Sequence, residues 1–332
     1  MAPLGHLESR LNVLRPLIEA EGTIEVAING DGRVWVERAG DSEMSLADVK
    51  LSPVEVKDLA GLIANKQHLT LTDSSPAIST TVDFSGATLR CQAIIPPASA
   101  GGTTISFRVF RRRSAGQEPR HFRFLRDQTV SLEAERLDKL RAIQRMATER
   151  EDSDDFLRAC VEARMNIVIS GGTSSGKTEL ARRLLWMVEE WHRLALIEDS
   201  TELLPGQDNV VSLIAERVET SARSADKLLE MTLRLRPDRI ILGELRGVEA
   251  VTFLEAINTG HEGSFTTVHA TTARKAVNRL AFLVMRAGMP LTLTEIRDYV
   301  LDSIDVIVQT GRIGNERGIL ETYFPALDEE SG

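Results

Sequence analysis

The residues Gly171-Gly172-Thr173-Ser174-Ser175-Gly176-Lys177-Thr178 have the types and spacing of a loop that holds phosphate. Its glycines let backbone N–H groups turn inward on an anion, and the helix that follows, opening at Glu179, adds its positive end. In such a loop Lys177 reaches the β- and γ-phosphates and the Thr178 hydroxyl binds magnesium. Glu244 follows the apolar run Arg239–Leu242, where a carboxylate can polarise an attacking water, hold Mg2+ through a water molecule, or simply cap the next helix. Glu198-Asp199 with Glu202 follows the run Leu194–Ile197 and reaches the same sheet edge, as further ligands or as a solvated turn. His269 ends the segment Phe265–Val268, after Gly260-His261-Glu262-Gly263, where it can sense a γ-phosphate or pack as an ordinary polar residue. A GTPase would need an Asn-Lys-x-Asp element, which is absent, and the arginine-rich lid of a small-molecule kinase is not found in the C-terminal part.

These groups require strands to deliver them. From about residue 132, helical stretches alternate with short, wholly apolar strands at Asn166–Ser170, Leu194–Ile197, Val210–Ile214, Arg239–Leu242, Phe265–Val268 and Ile304–Val308, the pattern of a parallel sheet buried on both faces. Thr292 and Glu295 have capping-box spacing, and Gly288 before Pro290 closes the preceding helix. The phosphate loop lies directly between such a strand and a helix. The C-terminal part is therefore expected to be a doubly wound α/β domain.

The first third reads as a smaller mixed α/β domain. Leu7, Leu11, Leu14, Leu17 and Ile18 mark one side of a helix, for docking on the chain's own core or on a membrane surface. Alternation at Ile24, Val26 and Ile28, the turn Asn29-Gly30-Asp31-Gly32, then Val34 and Val36 predict a β-hairpin. A helix over 53–66 and strands near 78–84, 88–95 and 104–109 follow. Seven arginines between Arg108 and Arg126 (Arg108, Arg111, Arg112, Arg113, Arg120, Arg123, Arg126) mark a basic stretch. The expected division is 1–110, a linker over 111–131, and 132–332.

With 332 residues, 42% of them apolar and 27% charged, the chain can bury two cores and is neither disordered nor membrane-embedded. No apolar run approaches a membrane span, and no secretory signal is read at the N-terminus. Cys91 and Cys160 cannot make a structural zinc site and point to a reducing, cytoplasmic setting. The net charge of -9 argues against sequence-specific nucleic-acid binding except through a local patch.

Four blocks in this order closely resemble the type II/type IV secretion traffic ATPases: the phosphate loop, Ile197–Leu203, Leu233–Gly247, and Thr259–Ser264 through His269-Ala270. In that family they are the Walker A, Asp, Walker B and His boxes. The hairpin strand Arg33-Val34-Trp35-Val36-Glu37-Arg38 is similar to the family's N-terminal domain. The short N-terminal domain and the missing tetracysteine element are most like the conjugation and effector-export branch of type IV secretion. Ser175 and Glu179 stand where many members have Gly and Thr.

The resemblance implies a RecA-like P-loop NTPase C-terminal domain with ATP and Mg2+ held by the loop. Lys177 and Thr178 hold ATP-magnesium, Glu244 activates water, Glu198 and Glu202 tune the metal and water network, and His269 couples γ-phosphate occupancy to the sheet. Arg90 and Arg108, on N-terminal strands, are implied as phosphate contacts, so that nucleotide would lie between the two domains and drive their closure. A homohexamer at the cytoplasmic face of the inner membrane, peripheral to it, is also implied, working with type IV secretion inner-membrane components and a coupling ATPase. The function expected is ATP hydrolysis powering protein export, pilus assembly or conjugative DNA transfer. A RecA-like nucleic-acid motor or helicase, and a nucleotide-gated ring that scarcely hydrolyses, remain as alternatives.

Overall fold

The leucine spacing near the N-terminus forms helix in three pieces: α1 (His6–Leu11), a 3-10 turn (Asn12–Leu14) and α2 (Arg15–Glu19). Pro16 sits in the first turn of α2, where its missing N–H costs nothing. Leu11, Leu14 and Ile18 are fully buried, with Leu7 and Leu17 packed against the same core. The segment therefore docks on its own domain. The computed structural model describes residues 5–111, 121–126, 131–149 and 152–328. Of the basic stretch, Arg112, Arg113 and Arg120 lie outside the described residues. Arg111 donates to the carbonyls of Ile18 and Ala20, and Arg126 pairs with Glu135.

The chain continues through β1 (Thr23–Ile28), β2 (Arg33–Arg38), β3 (Ser45–Lys50), α3 (Pro53–Lys66), β4 (Ala77–Phe84), β5 (Ala87–Ile94) and β6 (Thr104–Arg111). These strands form an antiparallel sheet in the order β3-β2-β1-β6-β5-β4. The expected hairpin is β1–β2. Its turn needs glycine at Gly32, where φ is +81° and a Cβ would stand 1.7 Å from the Leu51 carbonyl oxygen. Ser52 and Glu55 cap α3 reciprocally. Strand β3 was not anticipated from the sequence: it is an edge strand without a buried residue, and so leaves little apolar alternation to read.

After α4 (Leu132–Glu149) and α5 (Ser153–Glu162) come β7 (Ile167–Gly171), α6 (Lys177–Met187), β8 (Leu194–Glu198), β9 (Val210–Ile214), α7 (Ala225–Thr232), β10 (Arg239–Leu242), α8 (Glu249–Asn258) and β11 (Phe265–Val268). The last elements are α9 (Ala273–Arg286), α10 (Leu293–Ser303), β12 (Val306–Ile313), β13 (Glu316–Tyr323) and α11 (Pro325–Asp328). Contacts gather the chain into two compact units, Met1–Arg112 with Glu189–Ala256, and Arg113–Val188 with Ile257–Gly332.

The first unit joins the antiparallel sheet to the parallel strands β10-β8-β9. Residues 98–100 lie antiparallel along the edge of β9: Ala100 N–H donates to the Ser212 carbonyl at 2.9 Å and Ile214 N–H to the Ala98 carbonyl at 2.8 Å. Beside this bridge Arg193 is buried. Its Nε donates to the Leu235 carbonyl at 2.8 Å and Nη1 to Asn29 Oδ1 at 2.7 Å and to Asn209, while its backbone N–H donates to Asp238 Oδ2 at 2.7 Å. Burial pushes the guanidinium down to about 10, opposed by the Glu25 and Asp238 charges. Arg236 adds a two-pronged pair to Glu37 at 2.8 and 2.9 Å.

In the second unit the order is β13-β12-β7-β11, with β12, β7 and β11 parallel and β13 antiparallel. The expected strand Ile304–Val308 begins instead at Val306 and runs on to Ile313, then returns as β13. Polar Gln309, Thr310 and Arg312 broke the apolar run that defined it, and Gly314-Asn315, with Gly314 at φ +61°, is the hairpin turn. The Thr292–Glu295 capping box is present on α10. Among the described residues no helix is long and apolar enough to cross a membrane. Cys91 and Cys160 are free and buried, and burial raises both thiols well above their ordinary range.

Arg193→Met removes a buried cation while leaving Asn29, Asn209 and the Leu235 carbonyl short of a donor. It is expected to lower unfolding free energy by about 3 kcal/mol. A urea titration should show the loss as an earlier midpoint, and an unchanged midpoint would refute the assignment.

Candidate nucleotide-binding site

The phosphate loop is built in the second unit. β7 ends at Gly171, and the chain turns through Ser174 (φ +57°) and Gly176 (φ +99°) into α6, whose first residue is Lys177. Left-handed residues within such a turn let successive N–H groups converge on one side. A Cβ at Gly171 would lie 2.2 Å from Ser175 Oγ and 2.4 Å from Thr310 Oγ1, so the start of the loop tolerates no side chain. Gly172, Thr173 and Ser174 are exposed, Ser175 and Lys177 are buried, and Thr178 is half-buried on the first turn of α6. Lys177 Nζ donates to the Gly171 carbonyl at 3.0 Å and the Gly172 carbonyl at 2.9 Å, and stands 3.4 Å from His269 Nδ1. This sets His269, one residue beyond β11, beside the lysine. Glu179 faces outward and pairs with Arg182 at 3.5 Å.

The acidic group is built in the first unit. β8 and β10 are parallel neighbours with Ile197 opposite Leu242, so Glu198 and Glu244 leave the same sheet edge. Glu198 is buried, and its Oε1 accepts the N–H groups of Glu202 and Leu203, both at 3.0 Å. It thereby fixes the turn that carries the exposed Glu202. Glu244 Oε2 accepts from Arg246 Nη2 at 2.6 Å, and the other arm of Arg246 pairs with Asp199. Hydrogen bonding to Glu244 is the leading cause that pushes the Arg246 guanidinium further up. Asp199 also accepts from Arg217 Nε at 2.8 Å. Glu249 accepts the N–H groups of Arg246 and Gly247 at 2.6 and 2.8 Å, and so supplies the carboxylate that caps the start of α8.

Arg90 and Arg108, also in the first unit, are direct cross-strand partners on β5 and β6. Both are exposed, with guanidinium carbons 5.5 and 6.0 Å from the centre of the Phe110 ring. Like charges placed opposite one another on a sheet repel, and a polyanion between them would turn that repulsion into attraction.

Sequence reading missed two arginines. Arg246, two residues beyond Glu244, holds that carboxylate; its spacing within Gly243-Glu244-Leu245-Arg246 was the available signal. Arg317, on β13, donates from Nε to the Ser174 carbonyl at 2.9 Å. Its strand was not recognised, so nothing in the sequence linked it to the loop.

Among the described residues no group of three His, Cys, Asp or Glu side chains forms a preformed metal cage. In the second unit the Thr178 hydroxyl, and in the first unit the carboxylates of Glu198, Glu202 and Glu244, are hard oxygen donors of the kind magnesium takes, and a magnesium ion carried on phosphate oxygens needs only one or two protein ligands. Gly171→Ala is expected to cost about 1–3 kcal/mol through overpacking against Ser175 and Thr310. Thermal unfolding beside the parent protein measures it, and an equal melting temperature would contradict the close approach described above.

Residues 97–310 match the type II/IV secretion system protein family. The conjugal transfer protein TrbB of Rhizobium radiobacter is 33% identical over 301 residues, covering 90% of this chain and 82% of that protein. The type IV secretion system protein VirB11 of Bartonella quintana is 31% identical over 338 residues, covering 97% and 94% of the two chains. The crystal structure of the VirB11 ATPase of the Brucella suis type IV secretion system, in complex with sulphate, superposes with a TM-score of 0.81 at 29% identity, covering 98% of this chain and 96% of that one. The loop, the carboxylate edge and these likenesses agree: the chain belongs to the type II/IV secretion system protein family, with its P-loop NTPase fold and a smaller α/β domain at the N-terminus.

Proposed function

We propose that this chain is a Mg-ATP hydrolase that powers type IV secretion, moving protein or conjugative DNA by a nucleotide-driven closure cycle. The observation that carries the reading is the strand–loop–helix of β7 and α6, with Lys177 anchored at its centre, in a chain similar along nearly its whole length to VirB11 and TrbB proteins. Within it, Lys177 exchanges its carbonyl partners for β- and γ-phosphate oxygens, and Thr178 offers its hydroxyl to Mg2+. Bound magnesium would neutralise charge on the phosphates. Glu244 orients and deprotonates the attacking water, and Glu198, by fixing the 199–203 turn, keeps Glu202 at the same edge. His269, in contact with Lys177, reports to β11 whether the γ-phosphate is present.

The exposed pair Arg90 and Arg108 supports a second set of phosphate contacts from the N-terminal sheet. Their release after hydrolysis would be the mechanical step. A homohexamer, peripheral at the cytoplasmic face of the inner membrane and meeting the inner-membrane components and coupling ATPase of its machine, belongs to the same proposal. The names of its conjugal transfer and type IV secretion relatives support the part of it that concerns membership in such a machine.

Steady-state phosphate release tests the reading. Lys177→Ala and Glu244→Gln should each reduce turnover by about 100-fold or more. Lys177→Ala should also lose nucleotide affinity, whereas Glu244→Gln should retain it. An active Glu244→Gln protein would remove the proposed base, and a parent protein that binds ATP without turnover would favour a nucleotide-gated ring.

A further inference from the structure

We infer that Arg317, on the C-terminal hairpin, is a positioning residue for the phosphate loop, and that the β12–β13 hairpin presets the loop for polyphosphate. The inference rests on the ATP reading for its nucleotide readouts but not for its structural one. A trans peptide places its C=O and N–H on opposite sides. Arg317 Nε holds the Ser174 carbonyl at 2.9 Å on the hairpin side, so the Ser175 N–H of that same peptide is directed the other way. The stem of Arg317 lies against Gly176, with Cδ 3.8 Å and Cβ 3.9 Å from where a Cβ of Gly176 would be. One side chain thus orients one peptide of the loop and covers the residue that turns it into α6.

The hairpin supplies a second anchor. Thr310 Oγ1 donates to the Ser170 carbonyl at 3.1 Å, which commits its only proton. At 2.8 Å from Ser175 Oγ it must then accept, so the Ser175 hydroxyl donates to it. Ser175 is thus held on both counts, its side chain by Thr310 on β12 and its N–H direction by Arg317 on β13. Arg312, directly opposite Arg317 in the ladder, instead bonds the turn through the Gly314 carbonyl and Asn315 Oδ1. Two facing arginines are tolerated because each has its own acceptor.

A loop whose N–H groups already converge binds ground state and transition state alike, so its loss should appear in KM and not in kcat. The experiment compares the parent protein with Arg317→Ala, Arg317→Lys and Arg317→Gln. Without nucleotide, hydrogen–deuterium exchange of residues 173–177 should quicken about tenfold in Arg317→Ala, the size expected for a charge-assisted bond. Melting temperature and exchange elsewhere in the hairpin should stay unchanged. With nucleotide, Kd for MgADP and KM for MgATP should both rise about tenfold while kcat holds within about twofold.

Arg317→Lys, which keeps a charged donor, should recover most of the affinity. Should Arg317→Ala not fold, Arg317→Gln carries the same comparison. Unchanged loop exchange overturns the inference even if the protein is an ATPase. Quickened exchange in a protein that binds no ATP overturns the ATP reading instead. Faster exchange over the whole hairpin with a lower melting temperature reduces Arg317 to a stability residue, and also overturns the inference.

Discussion

Backbone N–H groups converge on an anion when the carbonyls of the same peptides point away from it. That constraint organises the second unit. The Gly171 and Gly172 carbonyls are taken by Lys177, the Ser174 carbonyl by Arg317, and the Ser170 carbonyl by Thr310. The donors to the loop's carbonyls are thus distributed over α6, β12 and β13, three elements that must be in place before the hollow has a defined shape. Gly171 is small because one of those anchors, Thr310, and the loop's own Ser175 occupy the space beside it. Lys177 has a double role, since the ammonium that fixes the loop is also the group that meets phosphate.

The first unit answers to a different constraint, the burial of charge. Arg193 is buried at the join between the antiparallel sheet and strands β8 to β10. Glu25, whose carboxyl is raised by burial despite a hydrogen bond from Ser106 and the charges of Arg193 and Arg108, lies on β1 opposite Arg108. Removing one partner from a buried polar join of this kind leaves the others uncompensated, so its members are kept or lost as a set. They hold the surface bearing Arg90 and Arg108 and the edge bearing Glu198 and Glu244 within one body. The groups expected to act on nucleotide therefore divide unevenly: phosphate loop and His269 in one unit, carboxylates and arginine pair in the other.

Much of this was legible from residue patterns. The strand–loop–helix around Lys177, the hairpin through Asn29–Gly32, the docking of Leu11, Leu14 and Ile18, and the capping box at Thr292 each follow from local periodicity or turn chemistry. The features missed share a cause. β3 is an exposed edge, and β12 carries polar residues where it meets the loop, so apolar pattern underreports both. Arg246 and Arg317 matter through partners brought together by turn and ladder geometry. Glu198 was read as a ligand or part of a solvated turn; that its buried carboxylate also fixes the turn is visible only once the N–H groups of Glu202 and Leu203 are placed.

The first unit is assembled from two stretches of chain with residues 113–188 running between them. Its antiparallel sheet is bound along β9 by residues 98–100 and through Arg193 to strands that are translated much later. A gene cut after residue 112 would therefore sever a folding body. Natural shuffling of such N-terminal domains among homologues would have to carry matching residues at Asn29, Glu37, Arg193 and Arg236, so the two segments are expected to be inherited together.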